Sequence, residues 1–203
     1  MATKTGSFSQ TQTMHGRSNH AATHGACHNF SIQWLSEMFA NADPAKGAAR
    51  MSHLASRKGG ANPVLQKAFG ERWAEGGSAY KLADRMMLSL RGLREVNMPI
   101  AYSVFNQASL VSIVNAPRES GMVYSFWFNG SVVGAAGGAH TIAFFRSLKP
   151  SRGRYVPTTD SVFVFDPNFG EYHVPTAQFG SWFSTLASLY GPMSKHMMKF
   201  VRK

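Results

Sequence analysis

Strand-forming and helix-forming stretches are segregated along this chain, and that segregation constrains the fold more than any other feature. Residues 122–128 (Met-Val-Tyr-Ser-Phe-Trp-Phe), 140–146, 161–165 and 171–174 are dense in aromatic and β-branched side chains, and all lie beyond residue 120. The first run ends on Asn129-Gly130, a hairpin-turn pair, and the last follows the turn residues Pro167-Asn168-Phe169-Gly170. Ahead of residue 120 the apolar period is helical. Phe30, Trp34, Leu35, Met38 and Phe39 predict a helix from about residue 28 to residue 40. A shorter helix is expected over 44–56, between Asp43-Pro44 and the Gly59-Gly60-Ala61-Asn62-Pro63 stretch. A third is expected over 78–91, with Tyr80, Ala83, Met87 and Leu90 on one face and Gly92 as its stop. Pro175 opens a last helix that runs to about Tyr190. Helices followed by strands predict an α+β fold, with the helical part packed on an antiparallel sheet of about four to five strands.

Residues 1–25 hold few large apolar side chains and many Ser, Thr, Gln, Asn, His and Gly, a composition expected of a flexible leader. Residues 26–203 are then one domain. No apolar run reaches the ~18 residues that a membrane-spanning helix needs, and the N-terminus lacks the apolar stretch of a Sec-type signal peptide. The single cysteine excludes an internal disulfide and a cysteine zinc finger. The net charge of +11 is spread along the chain, with 13 basic and 7 acidic residues up to residue 120 and 8 and 3 beyond it. Such a field draws in acidic surfaces or anionic membrane headgroups without naming a partner. Nucleic acid is not expected as one, because no basic element is interleaved with exposed aromatics. The tail from Lys195 to Lys203 comes nearest to that pattern and reads as a solvated C-terminus.

Cys27 stands at the start of the first amphipathic helix, in Gly25-Ala26-Cys27-His28-Asn29-Phe30. A thiol there meets the positive end of the helix dipole and unpaired backbone N–H groups, and both favour thiolate. His140 opens a strand behind a tract of small residues, Val132-Val133-Gly134-Ala135-Ala136-Gly137-Gly138-Ala139, which leaves room for a substrate backbone. Asp166 closes another strand just before a turn. If those strands are neighbours, the carboxylate can accept the imidazole N–H and fix its tautomer. Nucleophile, base and orienting carboxylate then follow in chain order. A buried structural cysteine, an exposed strand-end histidine and a turn-starting aspartate are the plainer alternatives.

The segments Gly25-Ala26-Cys27 leading into a Trp-containing helix, Ala139-His140-Thr141-Ile142-Ala143, and Phe165-Asp166-Pro167-Asn168-Phe169-Gly170-Glu171-Tyr172 resemble the YopT/AvrPphB family. These are papain-like cysteine proteases delivered by bacterial type III secretion. The resemblance spans roughly residues 25–190. It implies a papain-like fold, Cys27 as nucleophile, His140 as general base and Asp166 as its orienting partner. It also implies a bacterial effector acting on a host protein, of the kinase or small-GTPase class, in the host cytoplasm. Residues 1–25 would then be a secretion leader. No cofactor is implied. The oxyanion would be met by the Cys27 N–H and by an upstream amide, for which Asn19 is the nearest in sequence. Residues 147–160, with Lys149, Arg152 and Arg154, read as an inserted basic hairpin between His140 and Asp166.

Three competing readings remain open on the sequence. A papain-like transglutaminase, deamidase or acyltransferase would use the same three residues, and a non-catalytic interaction module could retain them. His20, His24 and His28 recur every fourth residue with His15 nearby, a helical spacing that can share a metal ion, although no metal is expected here. Among substrates, acidic or neutral loops suit the basic field better than a polybasic tail does, since only Asp160, Asp166 and Glu171 are acidic beyond residue 120. A monomer is expected.

Overall fold

A computed structural model describes the chain except for residues 18–24, 59, 75–79, 117–119, 130–137 and 152–153. Strand β1 (Thr3–Ser7) and helix α1 (Gln10–Met14) come first. They are followed by α2 (Cys27–Ala40), α3 (Gly47–Ala55), α4 (Pro63–Ala74) and α5 (Lys81–Ser89). Two short strands, β2 (Arg94–Glu95) and β3 (Ile100–Val104), precede α6 (Gln107–Asn115). The strand-rich half contains β4 (Gly121–Phe128), β5 (Gly138–Phe145), β6 (Leu148–Ser151), β7 (Arg154–Pro157), β8 (Ser161–Asp166) and β9 (Gly170–Pro175). Helix α7 (Phe179–Ser188) and the long strand β10 (Met193–Arg202) end the chain.

The α+β expectation holds, but the sheet is larger than four to five strands. It has eight, in the order β1-β9-β8-β5-β4-β10-β2 with β3 also paired to β10, and its pairings are antiparallel. Four strands account for the difference: the short β2 and β3, which the sequence reading does not mark, and two segments it reads otherwise. Residues 3–7, expected to be part of a flexible leader, form an edge strand against β9. A five-residue edge strand can be held by backbone pairing on one side, so it carries no apolar alternation to read. The basic C-terminal tail, expected to be solvated, is β10, buried between β4 and the short strands. Its Lys199 is 2 % exposed because the buried carboxylate of Asp84 meets its ammonium. The hairpin expected over 147–160 is present as the two-stranded β6–β7 sheet.

Strand alternation divides the core in two. Val123, Ala143, Phe145, Phe163, Phe165 and Val201 face the layer of α2–α5, where Phe30, Trp34, Leu35 and Met38 of α2 are buried. Tyr124, Phe126, Ile142, Phe144, Val164 and Phe200 face the opposite layer, where α6 contributes Leu110 and Val114 and α7 contributes Phe179, Phe183 and Leu186. Helices thus cover both faces of an antiparallel sheet. This arrangement brings the N-terminus of α2 to the end of the sheet where β5 begins and β8 stops.

Candidate active site

Helix α2 starts at Cys27 after Gly25, whose φ of +80° is a left-handed conformation suited to glycine. The first turn of a helix leaves four backbone N–H groups without helical acceptors. Here Ala26 N–H donates to Gln10 Oε1 (2.6 Å) and Asn29 N–H to Gln66 Oε1 (3.0 Å), while His28 N–H donates to the Cys27 sulfur. The fourth, that of Cys27 itself, has no partner among the described residues. The half-buried thiol also faces the His140 side chain and the Thr141 N–H, both of which favour its anion. Burial alone would raise its pKa. The imidazole of His140 and the two N–H donors outweigh burial and draw the thiol below its ordinary value.

Strands β5 and β8 are neighbours, as the sequence required. His140 is buried near the start of β5, with its Nε2 3.0 Å from Oδ1 of Asp166, the last residue of β8. That leaves Nδ1 as the ring nitrogen available to sulfur. Desolvation would depress the imidazole pKa, but the Asp166 charge and hydrogen bond, reinforced by Cys27, raise it to about 10. Both shifts favour the thiolate and imidazolium form of the pair. Of the residues read from sequence, the fold brings Cys27, His140 and Asp166 together, and Asn19 lies outside the described residues, as do His20 and His24.

Two further residues complete the network. Tyr190 donates its hydroxyl to Asp166 Oδ2 (2.7 Å) and stacks on the His140 ring, centroids 5.0 Å apart. Asn168 gives its backbone N–H to Asp166 Oδ1 (2.8 Å) and its side-chain amide to the Tyr190 hydroxyl (3.0 Å). Gln10 then joins the two halves: it accepts from Ala26 N–H and donates Nε2 to Asn168 Oδ1 (2.7 Å). Both ends of its amide are committed, so Gln10 ties the start of α2 to the turn after Asp166. No sequence signal marks Gln10, which reaches Ala26 only through the folding of the first 14 residues onto the sheet.

The run from Asp166 to Glu171 now has a physical reading. Asp166 and Asn168 serve the imidazole network. Gly170 has φ +111° and lies so close to Gly6 that a Cβ there would strike the backbone of β1. Glu171 is fully buried and binds Arg50 through both oxygens (2.5 and 2.8 Å), with Trp34 Nε1 (2.7 Å) and Thr5 Oγ1 (2.6 Å) as further donors. It anchors α2, α3 and β1 to the sheet. His28, next to Cys27, serves a separate cluster. Its Nε2 meets Asp84 Oδ1 at 2.8 Å, and Lys199 holds the other carboxylate oxygen. Burial lowers the His28 pKa despite that carboxylate. A neutral imidazole committed to Asp84 is not part of the four-residue histidine spacing considered above.

The family model described as Peptidase_C58, Yersinia/Haemophilus virulence surface antigen, matches residues 7–199. A crystal structure of the Pseudomonas avirulence protein AvrPphB superposes with a TM-score of 0.54 at 14 % identity, covering 95 % of each chain, which is a likeness of fold. A comparison with curated protein sequences finds no match.

Proposed function

From the premise that this chain belongs to the C58 peptidase family of virulence antigens, we propose that it is a cysteine protease effector with Cys27 as nucleophile, His140 as acid and base, and Asp166 as the group that holds the imidazole. The observation that carries this reading is the thiol of Cys27 set beside the His140 imidazole, whose Nε2 lies 3.0 Å from Asp166 Oδ1. A free thiol is only a few per cent ionised at neutral pH, so a thiol drawn below its ordinary value beside a raised imidazole is the activated form that acyl transfer needs.

In the proposed reaction the thiolate attacks the scissile carbonyl carbon and the C–O π pair moves onto oxygen. The Cys27 N–H, a first-turn donor left over, would donate a hydrogen bond to that oxygen. His140 Nδ1 then gives its proton to the leaving amine as the C–N bond breaks, which leaves an acyl-thioester and a neutral imidazole. The same nitrogen takes a proton from water as the water oxygen attacks the thioester carbon; the C–S bond then breaks, which releases the carboxylic acid and restores the thiolate and imidazolium. Asp166 accepts the Nε2–H throughout and keeps Nδ1 aimed at the reacting atoms. Delivery into a host cell, with a host protein as substrate, belongs to the same proposal. Of the three late acidic residues, Asp166 and Glu171 are fully buried and paired inward, so they supply no acidic groove for a polybasic tail. That supports a substrate whose cleaved loop is neutral or acidic.

The test is paired. Cys27→Ala should abolish cleavage of a protein substrate while the fold is retained. His140→Ala should cost about 10²–10⁴-fold in kcat/KM, and Asp166→Ala should cost less, since it orients the proton carrier without moving the proton. Alkylation of Cys27 by iodoacetamide at pH 6 should be much faster than that of a free thiol. Cleavage that survives Cys27→Ala would falsify the assignment.

A further inference from the structure

Beside Cys27 lies a cavity of about 120 Å³. Helix α4 forms one wall with Gln66, Phe69, Gly70 and Trp73, and the sheet forms the other with Ser125, Ala139 and Thr141. Its polar side chains have partners of their own: Gln66 Oε1 accepts from Asn29 N–H, and the Ser125 and Thr141 hydroxyls bond each other at 2.8 Å. The aromatic wall is braced. Phe69 stacks on the His28 ring with centroids 3.9 Å apart, and Trp73 stacks on Trp127 at 5.1 Å. No carboxylate, lysine or arginine lines the space. Besides the thiol, its one titratable side chain is His28, which is engaged by Asp84 and pushed toward neutrality by burial.

Gly70 is the anomaly. It sits inside α4 (Pro63–Ala74), where glycine weakens a helix relative to alanine. The usual reasons for tolerating that weakness are missing. Its φ is not left-handed, and a Cβ built on it would meet nothing within 4 Å. Neither backbone conformation nor packing calls for glycine, yet the absent side chain is what leaves this wall of the cavity open.

We propose that the cavity is a substrate subsite, which takes one uncharged aliphatic side chain of up to leucine size from a peptide bound across Cys27, and that Gly70 sets its size limit. This rests on the protease reading given above. A dry cavity of about 150 Å³ accepts benzene, so 120 Å³ accommodates a branched four-carbon chain. A lysine or glutamate side chain would bring a charge into a space with no counter-charge, at a desolvation cost.

The experiment measures the rate at which Cys27 is alkylated by dipeptidyl chloromethyl ketones. They carry glycine, alanine, leucine or lysine at either of the two residues before the reactive carbon. Working at about pH 8.5, near the ordinary thiol value, lets even an unactivated thiol react. At one of the two positions the leucine probe should outpace the glycine probe by at least about tenfold, and lysine should gain nothing over glycine. Gly70→Ala places a methyl group in open space and favours the helix, so it should fold. It should slow the leucine probe by about tenfold and leave the glycine probe and iodoacetamide unchanged. Gly70→Leu should equalise the probes. Equal rates for all side chains in the native protein, or a leucine preference that survives Gly70→Leu, would overturn the proposal. Failure of the protease reading would appear differently, as ordinary iodoacetamide reactivity at pH 6 with no peptide cleaved. The leucine-to-glycine ratio is still read in that case.

Discussion

Cys27 and His28 are consecutive residues that enter two different buried clusters, and each cluster contains a histidine–aspartate pair. His28 Nε2 lies 2.8 Å from Asp84 and His140 Nε2 lies 3.0 Å from Asp166, so the pairs are nearly identical in geometry. Their protonation diverges. Burial lowers the His28 pKa, whereas the His140 pKa rises to about 10. Burial is the largest influence on His28, and the third member of each cluster adds to the difference. Asp84 is already met by the Lys199 ammonium, which takes up the carboxylate's charge and repels a proton on His28. Asp166 is met only by neutral donors, the Tyr190 hydroxyl and the Asn168 N–H, so its charge is left for His140, and the thiol adds to it. A histidine–aspartate contact does not by itself make a proton carrier. The charge on the carboxylate's remaining partners acts together with burial on which form of the imidazole is favoured.

The most damaging way to test this contrast is to remove the cation. Lys199→Met should leave Asp84 facing His28 alone and lower stability by about 3–5 kcal/mol, the usual cost of stripping one partner from a buried pair. Its diagnostic sign, read by NMR titration of the imidazole, is a His28 pKa that climbs above its ordinary value of 6.5. An unchanged His28 titration would remove the explanation offered here.

The pH dependence of stability should then carry opposite signs for the two histidines. The folded His140 binds its proton more tightly than the unfolded chain does. Its contribution is complete below the unfolded value of 6.5 and fades as pH rises through about 10. The folded His28 binds its proton less tightly, so its contribution is present above 6.5 and is lost as pH falls below it. Asp84, held well below the ordinary carboxylate value of 3.8 by Lys199 and His28 against the opposing effect of burial, adds a further loss at lower pH. Denaturant unfolding of the native protein, His140→Ala and His28→Ala across pH 5–10 separates the slopes. Parallel curves for the two variants would contradict the assignment.

The smallest expected effect belongs to Tyr190→Phe. It keeps the ring stacked on His140 but removes the hydroxyl that donates to Asp166 Oδ2. A hydrogen bond to a charged group contributes about 1.5–3 kcal/mol, so Asp166 should hold the imidazole less firmly. We expect a fall in kcat with little change in KM, and a pH–rate profile shifted on its alkaline limb.

Much of the site was legible because its signals are local. A thiol at the first residue of an amphipathic helix, a histidine behind small residues and an aspartate before a Pro-Asn turn can each be read within about ten residues. Helices α4 and α6 also carried local signals that the apolar periodicity did not expose. Asn62 accepts from the Val64 and Leu65 N–H groups ahead of a helix that opens on Pro63, and Asn106 accepts from Ser109 N–H. Strand β10 was hidden for another reason. Lys199 interrupts its apolar pattern, and only a carboxylate 115 positions away makes that lysine an interior residue. Gln10 belongs to the same class, since its two partners lie 16 and 158 positions away.

The division into early helices and later strands, the antiparallel class and the three candidate site residues were legible in the sequence, because propensity, turn chemistry and helix-end electrostatics act over short stretches. The size of the sheet, the neutral state of His28, the clamp through Gln10 and the open wall at Gly70 were decided by tertiary structure. Each depends on which distant charge, backbone or empty volume is brought alongside, and long-range desolvation and pairing have no period along the chain.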